Sequence, residues 1–398
     1  SSPATHGGQH DDDPRKSLLI QKEDMTMMTT LPKYLGSQTI ARPVHGDHSF
    51  RLGLMALAAV ALMMPRVAIA QEQAAPFERG GFVYTADEHG NSISAIDLTG
   101  GSVTVIPIPV SPHNVQITAD GMRLLAVGEP ATDGHGHSED AHGGNDAQGR
   151  LVILDAASLA SGVLDEVIVG AHPAHVVADQ NSARAFVTNA GDNTVSVVDL
   201  AAGKLIATIN SGQYPHGLRM SPDGREVYVA NVEDGTLSVI DARDLTELAQ
   251  IPVGNTPVQV GFTPDGRRVY VSLRDENQVA VVDTETRSLI ATIDVGPSPI
   301  QVHATPDGRY IYVANQGTDS QPNDTVSVIE VATDDVVATV RTGKGAHGVA
   351  VSSDGAFVFV TNIVDGTVSA IDTATREVIS EFSVGRGPNG ISYRSPQE

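Results

Sequence analysis

One short pattern recurs seven times along the chain, and it restricts the possible folds more than any other feature. The stretches FVYTAD (82–87), RLLAVG (123–128), AFVTNA (185–190), VYVANV (227–232), VYVSLR (269–274), IYVANQ (311–316) and VFVTNI (358–363) occupy equivalent places. Their marker residues Tyr84, Leu125, Phe186, Tyr228, Tyr270, Tyr312 and Phe359 are spaced by 41, 61, 42, 42, 42 and 47 residues. Insertions near 129–150 and 317–323 account for the two long intervals. Each unit runs from a short strand after Pro through an Asp-Gly turn such as Ser-Pro-Asp-Gly (221–224) to the Tyr-Val strand. A polar turn, a Ser-Val-Ile-Asp strand and a last strand such as AQIPVG (249–254) follow. Val, Ile and Thr alternate with period two, and Gly or Pro interrupts every few residues, which excludes helices. Four short strands in about 40–45 residues is the arithmetic of a propeller blade. The expected fold is all-β, a single seven-bladed β-propeller over 81–394.

The joint recurrence of Pro, Asp-Gly, Tyr-Val-x-Asn and Val-Ile-Asp resembles the YVTN repeat of YncE-like periplasmic propellers, over roughly 81–394. The repeats begin at a second strand and end with Pro388-Asn389-Gly390-Ile391-Ser392-Tyr393, a first strand lacking its blade. The C-terminal strand is therefore expected to close blade 1, leaving no open sheet edge. Closure by disulfides is excluded, because the chain has no Cys. That absence also removes thiolate metal sites, iron–sulfur clusters, haem attachment and Cys nucleophiles.

Upstream of the repeats, residues 1–24 contain no Met and are expected to form a disordered, non-native leader. Residues 25–70 read as a signal peptide region. The apolar run LGLMALAAVALMM (52–64) is too short to span a bilayer, and the small-residue site Ala68-Ile69-Ala70 follows it. Cleavage is expected after Ala70, leaving a short linker over 71–80 and a periplasmic or secreted chain with no membrane span. A net charge of −23 argues against a nucleic-acid partner and suits cations. A monomer is expected.

Most motif residues read as structural. Asp223-Gly224, Asp265-Gly266, Asp307-Gly308 and Asp354-Gly355 are hairpin turns, and Asp199, Asp241, Asp283 and Asp372 cap the turns after third strands. No Gly-x-Ser-x-Gly elbow, His-Glu-x-x-His helix or phosphate loop is present.

Histidine breaks the uniformity. Pro112-His113-Asn114, Pro215-His216-Gly217 and Ala346-His347-Gly348 place three His at one position of the innermost strands, where other blades have Ala174, Val258, Ile300 and Asn389. These His belong to blades 2, 4 and 7, an almost trigonal spacing that would leave one coordination position open on a metal. His172 and His175 flank the ring in blade 3, and His303 lies deeper in blade 6. A second group, His135, His137 and His142, sits with carboxylates in the insertion 129–150, suited to weak capture of Zn²⁺, Cu²⁺ or Ni²⁺. Propeller topology puts this loop, His89 and the ring on one face. The alternatives are imidazoles that pack or hydrogen-bond near the channel and a solvated polar loop.

Three functions follow as expectations. The first is a metallochaperone-like protein capturing a divalent transition metal, with Zn²⁺ preferred and Cu²⁺ second, serving a periplasmic metal-transport or redox partner. The resemblance to propeller-type zinc metallochaperones is one of fold, compartment and a His-rich segment. The second is a metal-dependent or lactonase-like hydrolase using Arg274, Glu88 and Glu129 as polar groups of the same face. The third is a protein–protein interaction scaffold without metal. A quinone-cofactor dehydrogenase is disfavoured, because the chain has no Trp.

Overall fold

The computed structural model describes residues 77, 80–131 and 148–396. The leader 1–24, the signal peptide region 25–70, most of the 71–80 linker and the His-rich part of the insertion (His135, His137, His142) lie outside the described residues.

Alternating Val, Ile and Tyr, punctuated by Asp-Gly, produce seven four-stranded antiparallel sheets. Blade 2 illustrates the order, innermost strand first: β4 (Val110–Ile117), β5 (Arg123–Pro130), β6 (Gln148–Asp155) and β7 (Val163–Ala171). Blades 3 to 7 repeat this order, beginning at β8 (Pro173–Ala178), β12 (Pro215–Met220), β16 (Pro257–Phe262), β20 (Pro299–Ala304) and β24 (Ala346–Val351). Blade 1 is assembled from both ends of the propeller: β28 (Pro388–Arg394) lies inside β1 (Phe82–Asp87), β2 (Ser92–Asp97) and β3 (Ser102–Pro107). The register pairs Phe82 with Arg394, Val83 with Tyr393 and Tyr84 with Ser392, so the expected closure is present. Innermost strands touch in unbroken succession, β28 to β4, β8, β12, β16, β20, β24 and back to β28.

The core lies between blades. All seven marker residues are at most 1% exposed, and each buries an amount of apolar surface worth about 1.5–3 kcal/mol. The Asp-Gly turns form as the residue types require. Gly224, Gly266, Gly308 and Gly355 have φ of 70–73°, open to Gly without a Cβ penalty, and Asp223 accepts from Ser221 Oγ and Arg225 N. Asp199, Asp241 and Asp372 each accept two backbone N–H groups of the following turn. The Asn of the Tyr-Val-x-Asn strand is also structural: Asn189, Asn231, Asn315 and Asn362 each donate to a Thr and a Ser hydroxyl of the next strand.

One irregularity prepares a site. In blades 3 to 7 the pairing of the innermost strand with its neighbour shifts after the first residue and resumes at the fourth. The second and third residues thus leave the ladder, as β-bulges do where side chains are re-aimed. Hydroxyls stitch the gap across blades: Thr188 Oγ1 of blade 3 accepts from His175 N and donates to His216 O, and Ser272 of blade 5 and Thr361 of blade 7 repeat the motif. No helix among the described residues is long and apolar enough to cross a membrane.

Candidate metal centre at the channel mouth

The bulged second and third positions hold the histidines. His113 (β4), His175 (β8) and His216 (β12) each offer one ring nitrogen, all within 4.8 Å of one another. Their ring centroids are 4.8–5.7 Å apart. The convergence depends on small neighbours. Blade 3 places Ala174 at the second position, so His113 and His216, two blades apart, meet across it with Nε2 to Nε2 at 3.1 Å. Blade 4 places Gly217 at the third position, so Gln259 of blade 5 reaches His175 of blade 3, its Nε2 3.2 Å from Nδ1. Gln259 Oε1 accepts from Val260 N, which fixes the amide orientation.

The protons can be assigned from partners. His216 Nδ1 faces the Val258 carbonyl at 3.2 Å and therefore carries hydrogen. Burial, with the nearby His113 charge, pushes its pKa down to about 3, so the ring is neutral and Nε2 is a lone pair. His113 behaves oppositely. Burial would lower its pKa, but the Glu88 carboxylate, with Oε1 3.3 Å from Nδ1, outweighs burial and raises it. Burial would likewise raise Glu88, yet the His113 charge and hydrogen bonds from His113 and Asn389 hold it at about 2. Asn389 Nδ2 donates to Glu88 Oε2 at 2.6 Å, tying the pair to the closing strand. His113 Nδ1–H thus points at Glu88, and Nε2–H donates to His216. One proton occupies the gap between two imidazole nitrogens.

The remaining predicted residues are distributed around this trio. His347 is the second residue of β24, is 6% exposed, and has an unpartnered Nδ1. Burial and the His113 charge lower its pKa to about 4. It is not in the trio, whereas the sequence spacing grouped it with His113 and His216. Val258 and Ile300, both buried, fill the intervening second positions of blades 5 and 6. His172 stands off the trio in the turn just before β8, with φ 48° and Nδ1 2.6 Å from Glu129 Oε1, its side chain 63% exposed. His303 lies further along β20, its Nδ1 donating to Ala304 O. Arg274 pairs with Asp275 in the turn after β17 (Arg268–Leu273). Sequence reasoning ranked His175 as a flanking residue and gave no role to Gln259, Asn389 or the Val258 carbonyl. The available signal was Gly217 beside a His-bearing blade, an empty position at the same level.

A family model described as a YncE-like β-propeller matches residues 154–267 and 241–396. No curated protein matches the chain at a significant level. Among solved structures, the chain is similar to a Pseudomonas aeruginosa periplasmic gluconolactonase (TM-score 0.62, 21% identity, covering 79% of this chain and 99% of that one). It is also similar to a putative 6-phosphogluconolactonase from Bacteroides uniformis (TM-score 0.63, 16% identity, 79% and 100%). Kuenenia stuttgartiensis hydrazine synthase gives TM-score 0.61 at 21% identity over 72% of this chain and 90% of that one. At these identities the likeness is one of fold.

Proposed function

The chain belongs to the YncE-like β-propeller family, and we propose that it is an exported binding protein for a divalent transition metal, held by His113, His175 and His216. The observation that carries this reading is the 3.1 Å approach of His113 Nε2 to His216 Nε2. Two imidazoles on one tetrahedral zinc at about 2.0–2.1 Å place their nitrogens about 3.3 Å apart. Both Nδ1 atoms are held by acceptors, Glu88 and the Val258 carbonyl, as ligating His generally are. Three imidazoles without sulfur suit Zn²⁺ first and Cu²⁺ second. The His-rich insertion would feed this site and a partner protein would receive the ion.

Calorimetric titration of EDTA-treated protein with Zn²⁺ tests the reading. One tight site is expected, lost in His216→Ala and His113→Ala and retained in His347→Ala and on removal of 133–142. Binding no tighter than that of a peptide spanning the insertion refutes it and leaves the scaffold reading.

A second reading, a metal-dependent hydrolase, draws support from the Glu88–His113 pair at the trio and from fold neighbours titled as lactonases. Turnover of a sugar lactone that stops with EDTA would establish it.

A further inference from the structure

His175 and Gln259 are both buried, and three contacts fix the glutamine. Its backbone N donates to Ser272 Oγ at 3.1 Å, its Oε1 accepts from Val260 N at 2.9 Å, and its Nε2 lies 3.2 Å from His175 Nδ1. Turning the amide over would set its NH₂ group against the Val260 N–H, two donors with no acceptor between them. The group facing His175 is therefore an N–H, and His175 Nδ1 accepts from it. A neutral imidazole has one donor and one acceptor nitrogen, so the single hydrogen of His175 sits on Nε2.

That tautomer is the wrong one for a metal ligand, which must offer a lone pair. A metal approaching Nδ1 has to displace the Gln259 amide. For a metal approaching Nε2, the hydrogen has to move to Nδ1, where it meets the amide N–H, and the amide then has to swing away from Val260 N. Either route breaks a buried hydrogen bond. His216, by contrast, already carries its hydrogen on Nδ1, against the Val258 carbonyl, and keeps Nε2 as a lone pair. Ligating His generally give their second N–H to an acceptor, whereas Gln259 presents His175 with a donor. We infer that Gln259 is a gate on the metal centre proposed above, and the inference rests on that reading. It holds His175 in a non-ligating tautomer, so His113 and His216 take the ion first. When His175 joins, the ion is held less tightly than three free imidazoles would hold it and stays transferable to an acceptor.

Two measurements on the EDTA-treated full chain test the gate. Long-range ¹H–¹⁵N NMR of the imidazoles should show His175 as a neutral ring with its hydrogen on Nε2; hydrogen on Nδ1 overturns the proposal. Gln259→Leu removes the donor and fills its space with an apolar side chain. Titration with Zn²⁺ against a competing chelator should then show binding about two- to ten-fold tighter than in the parent, the net worth of one hydrogen bond. The melting midpoint should fall, because Val260 N loses its acceptor. Those opposite signs separate a gate from a prop, whose loss would lower both. Should Gln259→Leu fail to fold, Gln259→Met, closer in shape, carries the same expectation. Equal or weaker zinc binding in the folded variant, beside a tight site in the parent, overturns the gate and leaves the metal reading standing. No tight site in the parent removes the metal reading, and the gate with it. Gly217→Ala cannot replace these variants, because its Cβ also strikes the Val258 carbonyl that orients His216.

Discussion

Blade 1 carries Asp87 where blades 3, 4, 6 and 7 carry the structural Asn. Its carboxylate is fully buried and accepts from Thr85 Oγ1 (2.7 Å), Ser92 Oγ (3.1 Å) and Ser94 Oγ (2.6 Å). Burial raises its pKa from 3.8 to about 6, against the opposing hydrogen bonds from Ser94, Thr85, Ser92 and the Gly385 amide. The folded protein therefore holds this proton more tightly than the unfolded chain does. The group's contribution to stability is complete below about pH 3.8 and is lost as pH rises through about 6. At 1.36 kcal/mol per pH unit, the ionised Asp87 costs the folded state about 3 kcal/mol at pH 7.5. Asp87→Asn is isosteric and can donate to Ser92 and Ser94 as Asn189 does to Thr194 and Ser196. With an unfolding entropy of about 2.1 cal/mol/K per residue, that gain raises the melting midpoint by about 4–5 °C. Scanning calorimetry of parent and variant at pH 7.5 and pH 4 measures it. A variant that melts no higher than the parent at pH 7.5, or gains as much at pH 4, refutes the reasoning.

Three further outcomes follow from the same structure. Deleting 386–398 removes the closing strand with partly buried Tyr393 and with Ile391, whose burial is worth about 1.5–3 kcal/mol, and opens a sheet edge; soluble yield and melting midpoint should both fall sharply, and unchanged melting would contradict strand closure. Because a proton on His113 occupies the gap, Zn²⁺ binding should release protons, read from titrations in buffers of different ionisation enthalpy, and affinity should fall as pH drops through the raised His113 pKa. Gly217→Ala sets a Cβ against Gln259 Oε1 and the Val258 carbonyl, the acceptor that orients His216; about 1–3 kcal/mol of stability and much of the zinc affinity should be lost together, and full affinity in a folded variant would show that Gly217 is not what admits Gln259.

Local chemistry and periodicity in the sequence determine the blade count, the turn positions, the buried marker residues and the closing role of 388–393. Each depends on a few neighbouring residues: Gly at a positive φ, Asp accepting from its own turn, alternation that sends every second side chain into an inter-blade core. The histidines at the second position of blades 2, 4 and 7 are equally visible. Which of them meet is a different kind of fact. It depends on Ala174 letting His113 reach His216, on Val258 and Ile300 separating His347 from His216, on Asn389 standing between His347 and His113, and on Gly217 opening a path from Gln259 to His175. Those side chains are separated by about 40 or more positions in the chain and become neighbours only when the ring closes. The pairing of Glu88 with His113 arises the same way, because a side chain's partner here is set by what faces it across the ring rather than by what precedes it in sequence.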